Sequence, residues 1–342
     1  MTKYITTINP EKFDREKAER FFAGKVGKGR ALHRLVIIST DRSKAEVESF
    51  PGVLTVTEDS VIYPDVAQTI IVPSPGGNPG QAIKQTNAGW ALKSLSRPYH
   101  DAYYYNRGGG NVDIYILDSG VNGDLPEFGE RVNYLYSLDN RTWNTSDHGT
   151  IVASVAAGSQ YGVAKNADIY SCRIGDGPFP RSNIYEALDT VAWHHWAKTT
   201  NTPSVVSMSF SGLSSSLEGE HDAIQEEYRY AYHELKTAGI VLVASSGNSD
   251  YEYENWNEYG GVNQVPAAFE DVISVGAHDT NMNRSIWPSG YASCYGSNID
   301  LWAPGTQVDC LGRLGRGMAA NGTSLSCPLV AGTIALLLEG SR

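Results

Sequence analysis

The sequence predicts an α/β fold with a mostly parallel sheet, preceded by a small α+β unit. Three observations predict it. From residue 112 onward, short apolar runs of the buried-strand type alternate with amphipathic stretches, as in strands joined by crossover helices. Ahead of that alternation, residues 72–80 hold three prolines and three glycines in nine positions, the composition of an exposed connection. The length of 342 residues, at about 150 per domain, leaves room for a second unit. These expectations divide the chain into 1–71, a linker at 72–85 and a main domain at 86–342.

In the first unit, Lys3–Ile8 reads as a strand and Pro10–Phe22 as a helix begun by proline. A strand over Leu32–Ser39 follows, then a helix over Asp41–Phe50 capped by its aspartate. The Pro51-Gly52 turn introduces a strand at Val53–Thr57. In the main domain the expected strands are Val112–Leu117, Ala167–Ser171, Val205–Met208, Ile240–Ala244 and Val272–Val275. Between them, Ile184, Leu188, Val191 and His195 share one helical face, and Ile224, Tyr228, Ala231 and Leu235 another.

Composition removes several function classes. The net charge of −11, with no Lys/Arg cluster to track a phosphate backbone, argues against a nucleic-acid partner. The excess of acidic side chains lies beyond residue 70, whereas residues 1–70 are close to neutral. No window approaches the roughly 18 consecutive apolar residues of a membrane-spanning helix. The N-terminus lacks the apolar core of a secretory signal, so an intracellular location is expected. Cys172, Cys294, Cys310 and Cys327 show no C-x-x-C spacing and read as small buried thiols rather than zinc ligands.

Three short segments fall at the ends of expected elements: Asp118-Ser-Gly after a strand, His148-Gly-Thr before a helix, and Gly322-Thr-Ser324 opening the last helix. They supply the parts of a nucleophilic triad. A serine hydroxyl becomes a good nucleophile when an imidazole takes its proton, and a carboxylate fixes the tautomer of that imidazole and stabilises its charged form. The order Asp, His, Ser along the chain is that of subtilisin.

With those segments in view, residues 112–338 resemble the catalytic domain of subtilisin-like serine proteases. Val112-Asp-Ile-Tyr-Ile-Leu-Asp-Ser-Gly-Val121 looks most like the proteinase K branch. Asp147-His-Gly-Thr150 is similar to the family's histidine motif, and Asn321-Gly-Thr-Ser-Leu-Ser-Cys-Pro-Leu-Val-Ala-Gly332 to its serine motif. The resemblance implies a doubly wound sheet and a triad of Asp118, His148 and Ser324, acting as a serine endopeptidase through an acyl-enzyme. A latent or truncated homologue that binds peptides without cutting them, or an esterase with the same triad, are the alternatives.

Further roles follow from the same resemblance. Val241-Leu-Val-Ala-Ser-Ser-Gly-Asn248 matches the segment that carries the oxyanion donor, here Asn248. Ser207–Gly212, with Ser209, Phe210 and Ser211, and Ala244–Gly247, with Ser245 and Ser246, resemble paired strands that hold an extended polypeptide substrate. The first seventy residues, especially Phe50-Pro-Gly-Val-Leu-Thr-Val-Thr-Glu-Asp59, resemble an inhibitory propeptide whose tail around residues 60–75 occupies the cleft of its own enzyme, and the resemblance makes the linker at 72–85 the expected processing region. Glu270, Val272 and Asp300 fall where proteinase K-like enzymes bind structural calcium through two carbonyls and a carboxylate, a solvated loop carboxylate being the other reading of Asp300. The serine motif departs from the usual pattern at Leu325-Ser326-Cys327 and Leu329, changes expected to act on packing. The chain also ends soon after Ser324, which makes the catalytic domain short at its C-terminus relative to that family.

Overall fold

The computed structural model describes residues 1–27, 32–64, 69–71, 84–96, 101–142, 146–213, 221–250, 252–253 and 264–339. The linker expected at 72–85 lies outside the described residues as far as residue 83.

The N-terminal unit is an antiparallel sheet of β1 (Thr2–Ile8), β2 (Lys25–Val26), β3 (Leu35–Thr40) and β4 (Val53–Glu58), in the order β2-β3-β1-β4. Two helices cover one face, α1 (Arg15–Phe22) and α2 (Lys44–Glu48). Both begin later than the sequence suggested. Asn9, not Pro10, organises the approach to α1: its carbonyl accepts from Lys12 and Phe13 N–H in a turn, and the helix starts after Asp14, whose side chain accepts from Lys17 N–H. At α2 the cap is Ser43 rather than Asp41, because Ser43 and Glu46 satisfy each other's backbone N–H groups in a capping box.

Two short strands continue the chain, β5 (Val61–Pro64) and β6 (Thr69–Ile71). Next come β7 (Lys84–Gln85), α3 (Trp90–Ser94) and β8 (Tyr103–Tyr104), with β7 pairing β8. The main domain then alternates β9 (Asp113–Asp118), β10 (Val132–Ser137), α4 (His148–Ala157), β11 (Asp168–Arg173), β12 (Phe179–Pro180), α5 (Arg181–Ala197), β13 (Ser204–Met208) and β14 (Phe210–Leu213). It continues through α6 (His221–Thr237), β15 (Val241–Ser245), β16 (Glu252–Tyr253), β17 (Gln264–Val265) and β18 (Ile273–His278). The last elements are β19 (Tyr295–Gly296), β20 (Leu301–Pro304), β21 (Val308–Leu311), β22 (Gly317–Ala320) and α7 (Thr323–Glu339).

Seven strands form one parallel sheet in the order β10-β11-β9-β13-β15-β18-β20. Each of the five strands expected in this domain is among them, within a residue or two at the ends except that β18 runs three residues past Val275, to His278. One apolar cluster fills the space between the sheet and α5 and α6 (Tyr115, Leu117, Leu188, Val206, Leu235 and Leu242 among its members), and a second lies under α4 and α7 (Ile114, Ile116, Val152, Val243, Cys327 and Ala331). Helices on both faces of a parallel sheet make the fold doubly wound. The strand order reverses at β9, first in the chain yet third in the sheet. A crevice opens at the carboxyl end of such a switch point, and the carboxyl-terminal residue of β9 is Asp118.

The loop after α4 is closed by a side chain. Lys165, 8% exposed, donates through Nζ to the carbonyls of Ser159 (3.0 Å) and Gly162 (2.8 Å) and lies over the rings of Tyr103 and Tyr105. From the connection between β9 and β10, Glu127 reaches the same loop and accepts from the N–H groups of Gln160 and Tyr161, each at 2.9 Å. Burial pushes the Lys165 ammonium down to about 8, while the charge of Glu127 works in the opposite direction.

Candidate active site

Asp118 is fully buried at the end of β9, and both its carboxylate oxygens lie near His148 Nδ1, at 2.9 and 2.8 Å. A carboxylate at that distance demands a proton on Nδ1, so Nε2 is the basic nitrogen of the neutral ring. The rest of the His-Gly-Thr segment explains how the ring is held. A Cβ at Gly149 would run into the Gly120 carbonyl, so only glycine lets α4 start this close to the turn after β9. Gly149 N–H donates to Ser119 Oγ at 3.0 Å, and Thr150 Oγ1 accepts from Asn122 N–H at 3.0 Å. Asp147, ahead of the helix, accepts from Arg313 N–H at 2.9 Å.

Ser324 is buried in the first turn of α7, the helix that packs across α4. Its carbonyl accepts from Ser209 Oγ at 3.0 Å, tying the serine to the residue that precedes β14. Asn248 is fixed by Thr323: Asn248 Oδ1 accepts from Thr323 N–H at 3.0 Å and from Thr323 Oγ1 at 2.9 Å. With the amide oxygen committed, Nδ2 is the group of Asn248 that can donate to a developing negative charge. Sequence reasoning singled out Asn248 but not Thr323, whose signal is its place between Gly322 and Ser324.

The departures in the serine motif are packing contacts. Ser326 Oγ donates to the carbonyls of Ala303 and Pro304, while Cys327 Sγ sits 3.5 Å from Ser207 Oγ. Leu325 and Leu329 are buried. All four cysteines are buried thiols.

The residues expected to bind substrate do not form a single surface. Ser209 leads into β14, whose Phe210 and Ser211 lie opposite Pro64 and Tyr63 of β5 and whose Gly212 lies opposite Val265 of β17. Ser207 and Ala244–Ser245 instead lie inside β13 and β15 of the central sheet, where Ser207 faces Cys327. Ser246 and Gly247 follow β15 and are buried, Gly247 with φ +98°. The strand on the far side of β5 from β14 was not foreseen: it is β12, where Phe179 lies opposite Ile62 and Pro180 opposite Val61. Two residues in a loop rich in glycine and proline carry no periodic signal. On the other side of Ser324, β6 pairs antiparallel with β22, Thr69 opposite Ala320.

Among the described residues no group of three or more His, Cys, Asp or Glu side chains gathers to hold a metal. A calcium site at Glu270, Val272 and Asp300 therefore rests on backbone carbonyls plus one carboxylate, an all-oxygen set that suits a hard cation. Asp300 is exposed, and its Oδ2 accepts from Ser274 N–H at 2.8 Å, which sets the carboxylate's orientation.

Comparison with known proteins decides the family. The profile of the subtilase family, peptidase S8, matches residues 109–342. The chain belongs to the subtilase family. This subtilase is 28% identical to Subtilisin-like protease 2 of Arthroderma otae, over 98% of the chain and 75% of that protein. It is 33% identical to Subtilisin-like protease 3 of Pseudogymnoascus destructans, over 73% of the chain and 59% of that protein. Among solved structures, a cold adapted subtilisin-like serine proteinase superposes with a TM-score of 0.61 at 31% identity, covering 74% of this chain and 86% of that one. The main domain of the subtilase is thus that of a subtilisin-like serine endopeptidase. No helix among its described residues is long and apolar enough to cross a membrane.

Proposed function

We propose that the subtilase is made as a zymogen that cuts itself and then hydrolyses polypeptides. Residues 1–71 contain its inhibitory propeptide and, at their end, the bond that is cut; Ser324 is the nucleophile, and His148 the base that later returns the proton to the leaving amine. Asp118 holds the imidazole, and Asn248 with the Ser324 N–H stabilises the oxyanion. One observation carries this reading: the chain's own β5 and β6 border the catalytic residues from two sides. β5 is a strand between β12 and β14, and β14 begins one residue after Ser209, the hydrogen-bond partner of Ser324; β6 pairs with β22, which ends four residues before Ser324. An extended peptide bound by main-chain pairing is how a protease presents a bond to its nucleophile. The proposed cut lies between Pro64 and Thr69, ahead of the linker at 72–85 where the sequence suggested processing. Residues 65–68 themselves lie outside the described residues.

Intact mass and N-terminal sequencing test it. The wild-type chain yields a fragment whose new N-terminus falls within residues 65–69, and Ser324→Ala stays whole. A wild-type chain that remains uncut on long incubation would establish the latent homologue instead, and a processed enzyme that cleaves esters but not casein would establish the esterase. Structural calcium bound by the Glu270 and Val272 carbonyls and Asp300 belongs to the same proposal; it stabilises the fold and takes no part in the hydrolytic steps.

A further inference from the structure

The groove that holds β5 does not stop at β12. The two residues after β12, Arg181 and Ser182, open α5, and they grip the four residues ahead of β5. Arg181 is 1% exposed; its Nη2 donates to the Glu58 carbonyl at 2.7 Å and to Thr57 Oγ1 at 3.1 Å, while its own N–H donates to the Ser60 carbonyl at 2.7 Å. Asp59 is read at both carboxylate oxygens, Oδ1 by the Ser182 N–H at 2.8 Å and Oδ2 by the Ser182 hydroxyl. Behind Arg181 stands Glu227, fully buried on α6, which keeps the guanidinium in place. Two of these contacts go to main-chain carbonyls and suit any extended chain. The contacts to Asp59 demand a carboxylate, at a helix start where the backbone N–H and the macrodipole both favour negative charge.

We propose that, once residues 1–64 have left, Arg181 and Ser182 form a second binding site that selects substrates with an acidic residue two positions ahead of the stretch paired with β12 and β14. This rests on the zymogen reading, since the site must first lose its own occupant. The groove then reads eight residues in register, from the position of Thr57 to that of Pro64. It gives the enzyme a preference for acidic extended peptides.

The test uses the self-processed enzyme and three synthetic peptides. The first carries residues 57–70 of this sequence, the second the same residues with Asp59→Ala, and the third starts at Val61. A carboxylate held by two charge-assisted hydrogen bonds predicts kcat/KM about 10- to 100-fold higher for the first peptide than for either other one, expressed chiefly in KM. In Ser182→Ala enzyme the ratio between the first two peptides shrinks. Equal kcat/KM for all three overturns this proposal alone, whereas cleavage of none of them overturns the zymogen reading beneath it as well.

Discussion

The N-terminal sheet and the seven-stranded sheet of this subtilase are each covered on two faces, but not by the same chemistry. Both faces of the seven-stranded sheet are sealed by aliphatic and aromatic side chains. The N-terminal sheet has one such face, where Tyr4, Ile8, Val36, Ile38 and Val56 meet Phe13, Phe22 and Phe50. Its other face, turned to α5 and α6, has Ile5 and Leu35 but also buried Thr7 and Thr57. Thr57 donates to Glu227, and Glu227 pairs with Arg181. Leu32 N–H likewise donates to Asp189 at 2.7 Å. Apolar surface costs about 25 cal/mol per Å² to return to water, whereas hydrogen-bonded groups regain partners there. The difference teaches which joint can open: the central core is permanent, and the N-terminal unit is mounted on a surface that water can replace.

The largest expected effect comes from breaking that mount. In the uncut Ser324→Ala chain, Glu227→Leu leaves the Arg181 guanidinium buried without its carboxylate and is expected to cost about 3–5 kcal/mol in urea denaturation. Replacing both, as Arg181→Met with Glu227→Leu, is expected to recover most of the loss. A single-replacement cost below about 1 kcal/mol would show a solvated contact and erase the contrast between the two sheets.

Calcium sharpens the comparison from the other side, because the proposed ligands stabilise the permanent domain. A cation bound only by the folded chain adds about 2.7 kcal/mol at a hundredfold excess over Kd, and Asp300→Asn is expected to remove most of the calcium-dependent rise in Tm. Equal rises in wild type and variant would discard the site.

The smallest effect tests a polar patch inside the permanent domain. At the amino ends of the strands, His195 bridges Ser204 Oγ (2.8 Å) and the Ala238 carbonyl (3.1 Å), and His194 Nδ1 lies 2.8 Å from Tyr115 OH. Burial, then the charge of Lys198, holds both rings below the usual histidine value of 6.5. As pH falls through the window just below 6.5, the unfolded chain takes up protons that the folded chain refuses, so stability declines there. Both rings are partly exposed, which limits the loss to a few degrees in Tm between pH 7.5 and 5.5. His195→Gln in the Ser324→Ala background is expected to flatten the slope, and an unchanged slope would exclude this histidine as its source.

These contrasts also explain what could be read without coordinates. Asp118 and His148, which the structure joins, and Ser324, the proposed nucleophile, could be singled out because reactive side chains stood at the ends of recognisable elements. The central strands were legible because burial on both faces demands unbroken apolar runs. The edge strand β10 was not, since Tyr134 and Leu135 are only partly covered and leave no such run. Helix starts failed where competing signals lay within a few residues, as Asp41 and Ser43 do. Ser207 was misplaced for a different reason: a buried serine facing a cysteine looks, in one dimension, like a neighbour of the cleft.

The loop after α4 shows how a protein can dispense with an exchangeable counter-ion. Carbonyl oxygens turned inward need a positive partner, and here the chain brings its own in Lys165, tied by a side-chain stem to the backbone it steadies. A tethered charge has a fixed local concentration, so dilution does not empty the loop and a chelator finds nothing to remove. The segment that follows the His148 helix is in this sense indifferent to the mineral content of its surroundings.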